Sequence, residues 1–185
     1  SVFDSWLRML QAAPGSILWL LEDNPAATRH LRERAQAQGV DAARLRFAPS
    51  LPRPEHLARH RLADLMLDTL PANAASAAND ALAAGVPVLT QTGAAFAGRV
   101  TASLLTTAGL PELITASQPA YEARALELAR DAAPYQAVRA RLQASLSSSP
   151  LFNAKRLARQ LEAAYAAVDE RSIQGMAPKA IDVRA

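Results

Sequence analysis

The stretch ADLMLDTLPANAASAANDALAAGVPVLT, residues 63–90, decides how the rest of the chain is read. Ala63 to Asp68 is a short, mostly apolar run that predicts a strand. Asn73 to Ala84 is rich in alanine, which gives up no side-chain entropy in a helix, and Gly85 supplies the usual C-terminal stop. Val86 to Thr90 returns to an apolar run, with Pro87 near its start where a missing N–H is tolerated. Strand, helix and strand in this order make a crossover unit, which joins parallel strands with a right-handed turn.

The same alternation extends in both directions. Upstream, residues 2–12 place Phe3, Trp6, Leu7 and Leu10 on one helical face, ended by Pro14-Gly15. Ile17 to Leu21 is a continuous apolar run, suited to a strand covered on both faces. Asn24-Pro25 opens a helix that runs to about Gly39. Arg44 to Ala48 predicts a short strand, and Pro52 to Leu62 a helix. Downstream, Ala94 to Thr106 reads as helix and Leu113-Ile114 as a last short strand. Helices follow at about 119–132, 134–147 and 153–169, with the serine-rich run 145–150 as a loop and Asn153 as the last cap. The pattern predicts an α/β fold with a doubly wound parallel sheet. Such folds usually open on a strand and this chain opens on a helix, so a first strand is expected to be missing. Residues 1–170 form the expected lobe, and residues 171–185 a tail without clear period.

Composition agrees with a packed domain. Of 185 residues, 50% are hydrophobic and 20% charged, which supports a core and argues against disorder. Alanine fills 43 positions and lets helices lie close to a sheet. The net charge is +3, but acidic and basic residues are interleaved, so no nucleic-acid footprint is expected. Lys155 and Lys179 are the only lysines among 20 basic residues. The absence of cysteine excludes disulfides, thiolate metal sites and a cysteine nucleophile. Apolar runs are too short for a membrane span, and Asp4 and Arg8 interrupt any signal-like opening. The expectation is a soluble, cytoplasmic domain.

No short motif announces an enzyme. There is no GxGxxG and no GxSxG, and the glycine pair Gly93 and Gly98 lacks the Lys and Ser/Thr of a phosphate loop. His56 and His60 lie one helical turn apart, but no third ligand is evident, so neither a metal nor a cofactor is expected. The informative set is distributed: Arg53, His56 and Arg59 on one helix, Ser76 and Asp80 on another. Each helix follows a strand, where open α/β sheets bind ligands. A helix starting near Ala75 would turn free N–H groups toward phosphate, with Ser76 adding a hydroxyl and Asp80 accepting from ribose. The two arginines suit phosphate, ribose or base, and His56 suits stacking. The same residues also fit a plain solvated helix face, with Ser76 as a cap and Asp80 paired to an arginine.

Longer stretches carry a family resemblance. SILWLL (16–21), PEHLARHRLADLMLDT (54–69), NDALAAGVPVLT (79–90), GRVTASLL (98–105) and SSPLFNAKRLARQLEAAY (148–165) resemble the C-terminal catalytic lobe of the O-linked N-acetylglucosamine transferase family, in order and spacing. The resemblance implies a GT-B fold of two Rossmann-like lobes, this one holding most of the donor UDP-N-acetylglucosamine. It implies transfer to Ser/Thr hydroxyls with inversion and no required metal. By position it implies Leu51 backbone groups on uracil, His56 stacked on that base, Arg59 near it, Arg53 in place of a lysine near the ribose, and Asp80 on the ribose hydroxyls. It also implies that Asn153 opens the element that closes the lobe. The family's phosphate-facing His-Thr-Thr reads Ala75-Ser76-Ala77 here, and its Pro-Gly-Glu reads Thr92-Gly93-Ala94. Its phosphate-binding Gln and Lys, its other lobe and its tetratricopeptide repeats are not in this chain, and no catalytic residue is assigned. Expected partners are therefore the UDP-sugar, the N-terminal lobe and repeats, and a protein acceptor. A degenerate lobe serving as a protein-interaction module, or a relative using another UDP-sugar, are the alternative readings.

Overall fold

The computed structural model describes residues 1–183. Five short strands, β1 (Leu18–Glu22), β2 (Leu45–Pro49), β3 (Met66–Leu67), β4 (Val88–Gln91) and β5 (Ile114–Thr115), alternate with helices. The helices are α1 (Val2–Ala12), α2 (Pro25–Ala37), α3 (Arg53–His60), α4 (Ala75–Ala83), α5 (Val100–Thr107), α6 (Gln118–Arg130), α7 (Ala132–Ser148) and α8 (Ala154–Ile173). Every strand pairing is parallel, as the crossover reading requires.

The sheet is in two pieces. β1 pairs with β2 in one, and β3, β4 and β5 lie in that order in the other. β1 and β3 therefore each keep an unpaired edge.

Two apolar clusters match the two pieces. Leu7, Leu10, Leu18, Ala35, Val40 and Leu45 form the smaller one. The larger gathers around β4, whose Val88 and Leu89 are fully buried, with Leu82, Leu105, Leu113 and Leu142 against it. Ala78 and Ala81 are also fully buried, so the alanine face of α4 lies directly on the core. Trp6 of α1 packs against both clusters. Ser5 donates to Glu122 at 2.6 Å and Arg8 pairs with the same carboxylate, which ties α1 to α6.

Three local readings need correction. Residues 94–99 do not start α5. Gly93 and Gly98 approach so closely that a Cβ on either would meet the other's Cα at 3.1–3.2 Å, and a short 3-10 turn at Phe96–Gly98 precedes the helix. The serine run at 145–150 is not a loop throughout, because α7 continues to Ser148 and Ser145 is buried against it, donating to the Leu142 carbonyl. Strand β3 is only two residues long, Met66–Leu67, although the Asp68 N–H still donates to the Leu89 carbonyl of β4 at 2.9 Å.

Candidate functional site

Helices α3 and α4 pack beside one another and bring the distributed set together. Arg53 Nη2 lies 3.1 Å from Asp80 Oδ1, so a residue at the start of α3 meets one in the second turn of α4. Arg53 is 73% exposed and Asp80 13%, so the carboxylate is recessed and the arginine covers it from the solvent side. An ion pair this exposed is weak, worth about 0–1 kcal/mol, and yields readily to a competing ligand. The paired-arginine alternative foreseen for Asp80 is thus the arrangement present.

Near the other end of α3, Arg59 is held by protein on three sides. Its Nη1 donates to the Pro49 carbonyl at 2.6 Å, its Nη2 donates to His56 Nδ1 at 3.0 Å, and its guanidinium stacks 5.7 Å from the Trp19 ring centre. His60 Nδ1 donates to the His56 carbonyl at 2.8 Å, and the two imidazoles meet edge to face at 4.7 Å. Partial burial lowers the His56 pKa below its ordinary value; His60 and Arg59 lower it further, and Asp80 opposes them. His56 is therefore a neutral ring at neutral pH, accepting from Arg59 at Nδ1, with its other nitrogen protonated. Leu51, between β2 and α3, is exposed, and its N–H and carbonyl have no partner among the described residues.

The start of α4 is unusual. Its N-cap is Ala74, which has no side chain to cap with, and Ser76 is exposed and makes no cap. The N–H groups of Ala75 and Ser76 have no partner among the described residues. Ala75 has φ +30°, in the left-handed region that costs a residue with a Cβ about 1–2 kcal/mol. Such strain persists only where surrounding bonds hold it.

Those bonds come from residues the sequence reading did not single out. Asp68 Oδ1 accepts from the Ala74 N–H at 2.7 Å and Oδ2 from the Thr90 hydroxyl at 2.6 Å. Asn73 Nδ2 donates to the Thr69 carbonyl at 3.0 Å, Asn73 Oδ1 accepts from the Thr101 N–H at 3.3 Å, and the Asn73 N–H donates to the Ala97 carbonyl at 2.8 Å. The Leu70-Pro71 peptide in this loop is cis. One signal was available: a carboxylate at the end of an apolar strand run needs partners wherever it is buried. Among the described residues no group of three His, Asp or Glu side chains is placed to hold a metal ion.

The arrangement is a recessed carboxylate, a neutral imidazole, free backbone groups and an uncapped helix start, all following the carboxyl ends of parallel strands. Open α/β folds bind ligands at this end of the sheet, and a helix start with free N–H groups suits an anion. The chain belongs to glycosyl transferase family 41, whose model matches residues 1–161. It is 32% identical over 176 residues to a UDP-N-acetylglucosamine–peptide N-acetylglucosaminyltransferase of Caenorhabditis elegans, covering 95% of this chain and 15% of that protein. It is 36% identical over 165 residues to a probable enzyme of the same name from Arabidopsis thaliana, covering 89% of this chain and 17% of that one. A mutant of the Thermobaculum terrenum O-GlcNAc transferase superposes with a TM-score of 0.82 at 36% identity, over 89% of this chain and 32% of that chain. The chain thus spans under a fifth of these two curated relatives.

Proposed function

We propose that this chain is the donor-binding lobe of a protein O-GlcNAc transferase, holding UDP-N-acetylglucosamine for transfer to Ser/Thr hydroxyls. The observation that carries the reading is the open start of α4, with free N–H groups at Ala75 and Ser76 one turn from the recessed Asp80. The diphosphate meets those N–H groups and the Ser76 hydroxyl. The ribose hydroxyls donate to Asp80, displacing Arg53, which is then free to contact ribose or phosphate. Uracil takes the Leu51 backbone groups at its edge and stacks on His56, with Arg59 near the base and fixing the ring through Nδ1. Residues 1–170 make up this lobe and 171–185 its tail.

On this reading an N-terminal lobe and tetratricopeptide repeats complete the protein and present the acceptor, and the site of action is the cytoplasm. Among the described residues no helix is long and apolar enough to cross a membrane. No residue of the lobe is assigned to bond making or breaking, so the lobe alone transfers no sugar. The loss of a histidine at Ala75 supports a second reading, a degenerate lobe that serves as a protein-interaction module. Losing one donor to a charged phosphate costs about 1.5–3 kcal/mol, which leaves donor binding weak but present.

Calorimetric titration with UDP separates the two. Heat of binding from the unmodified protein, abolished in Asp80→Ala, is the result expected of a donor lobe. Absence of heat at millimolar UDP, in a folded protein, would point to the interaction module.

A further inference from the structure

Asp68 is a buried carboxylate, 3% exposed, and no Lys or Arg pairs with it among the described residues. A buried polar group is costly unless it is hydrogen-bonded, and both side-chain oxygens of Asp68 accept hydrogen bonds. Thr90 from β4 grips the side chain, and the Tyr121 phenol from α6 donates to the Asp68 carbonyl at 2.9 Å. The Asp68 N–H donates to the Leu89 carbonyl at 2.9 Å. With the residue fixed to β4 and α6, Oδ1 holds the N–H of Ala74, immediately before the strained Ala75. The carboxylate therefore ties the one non-glycine left-handed residue among those described to the central strand of the larger sheet piece.

We propose that Asp68 is a positioning residue for the donor diphosphate: its hydrogen bond to Ala74 keeps Ala75 in the left-handed turn and so keeps the Ala75 and Ser76 N–H groups open to phosphate. The inference rests on the donor-lobe reading. It opposes a simpler electrostatic expectation, in which a negative charge behind a phosphate site weakens binding and its removal strengthens it.

The test compares uridine with UDP, because only UDP reports on the start of α4. Binding of both is measured on the unmodified protein, Asp68→Ala and Asp68→Asn. Asp68→Ala is expected to shrink the preference for UDP over uridine by about tenfold or more, with uridine affinity unchanged. Asp68→Asn keeps an oxygen for the Ala74 N–H and is expected to restore the preference. Should Asp68→Ala fail to fold, Ala74→Pro removes the same N–H at a φ of −73° that proline accepts, and it should lose the same preference. An undiminished or larger preference in the breaking variant overturns the inference, as does an equal loss for uridine and UDP. If the unmodified protein binds uridine and UDP equally or not at all, the donor-lobe reading itself fails.

Discussion

Helices α2 and α4 stand in equivalent places, each following a parallel strand in a crossover unit, yet their starts are built oppositely. At α2, Asn24 Oδ1 accepts from the N–H groups of Ala26 at 2.8 Å and Ala27 at 3.4 Å, and Pro25 has no N–H to satisfy. The first turn of α2 is closed. At α4, alanine takes the cap position, the next residue is strained, and two N–H groups are left open. Side-chain caps also close α1, α6, α7 and α8, at Ser1, Ser117, Asp131 and Asn153. Helices α3 and α5 also start without a side-chain cap, so what sets α4 apart among the described residues is the strained Ala75 beside its open N–H groups. Strain of this kind gathers at ligand sites.

The largest effect should come from closing α4. Ser76→Asp places a carboxylate in its first turn, where it favours the helix dipole and repels a diphosphate. UDP affinity is expected to fall by about a hundredfold or more, about 2.7 kcal/mol, while thermal stability holds or rises slightly. Unchanged UDP binding would break the comparison. The converse substitution on the closed helix, Asn24→Ala, is expected to cost about 1 kcal/mol, seen as a drop of about 2–4 °C in melting temperature, with UDP binding unaltered. A loss of UDP affinity there would mean that α2 shares in the site.

The smallest expected effect concerns His56. Its pKa is lowered in the folded protein, so the unfolded chain binds more protons below about pH 6.5. Stability contributed by the neutral ring is full above that value and declines as pH falls through it. His56→Gln should flatten this part of the pH–stability profile, measured by thermal melting between pH 5 and 8. A profile left unchanged by the substitution would show that the ring is not held in its neutral form by its surroundings.

Much of the fold was legible in the sequence because its signals are local. Apolar runs at Ile17–Leu21 and Val86–Thr90, alanine-rich periodicity, and caps such as Asn24 and Asn153 each act within a few residues. The division of the sheet was not legible, since it depends on which strand edges find partners, a non-local matter. The pairing of Arg53 with Asp80 was foreseen only as one option, because two residues 27 apart meet through helix packing. Arg59 shows the same limit: it was read as a ligand contact, and its bonds to Pro49, His56 and Trp19 also make it a strut for the imidazole. Asp68, Asn73 and the Gly93–Gly98 approach escaped notice because their meaning lies in a loop conformation that no periodicity encodes.

The most direct measurement is an NMR titration of backbone amides with UDP. The largest shifts should fall on the amides of Ala75 and Ser76, with smaller ones at Leu51 and His56 and none at the start of α2. Saturating shifts centred on α2 or α8, with Ala75 and Ser76 unmoved, would contradict the account.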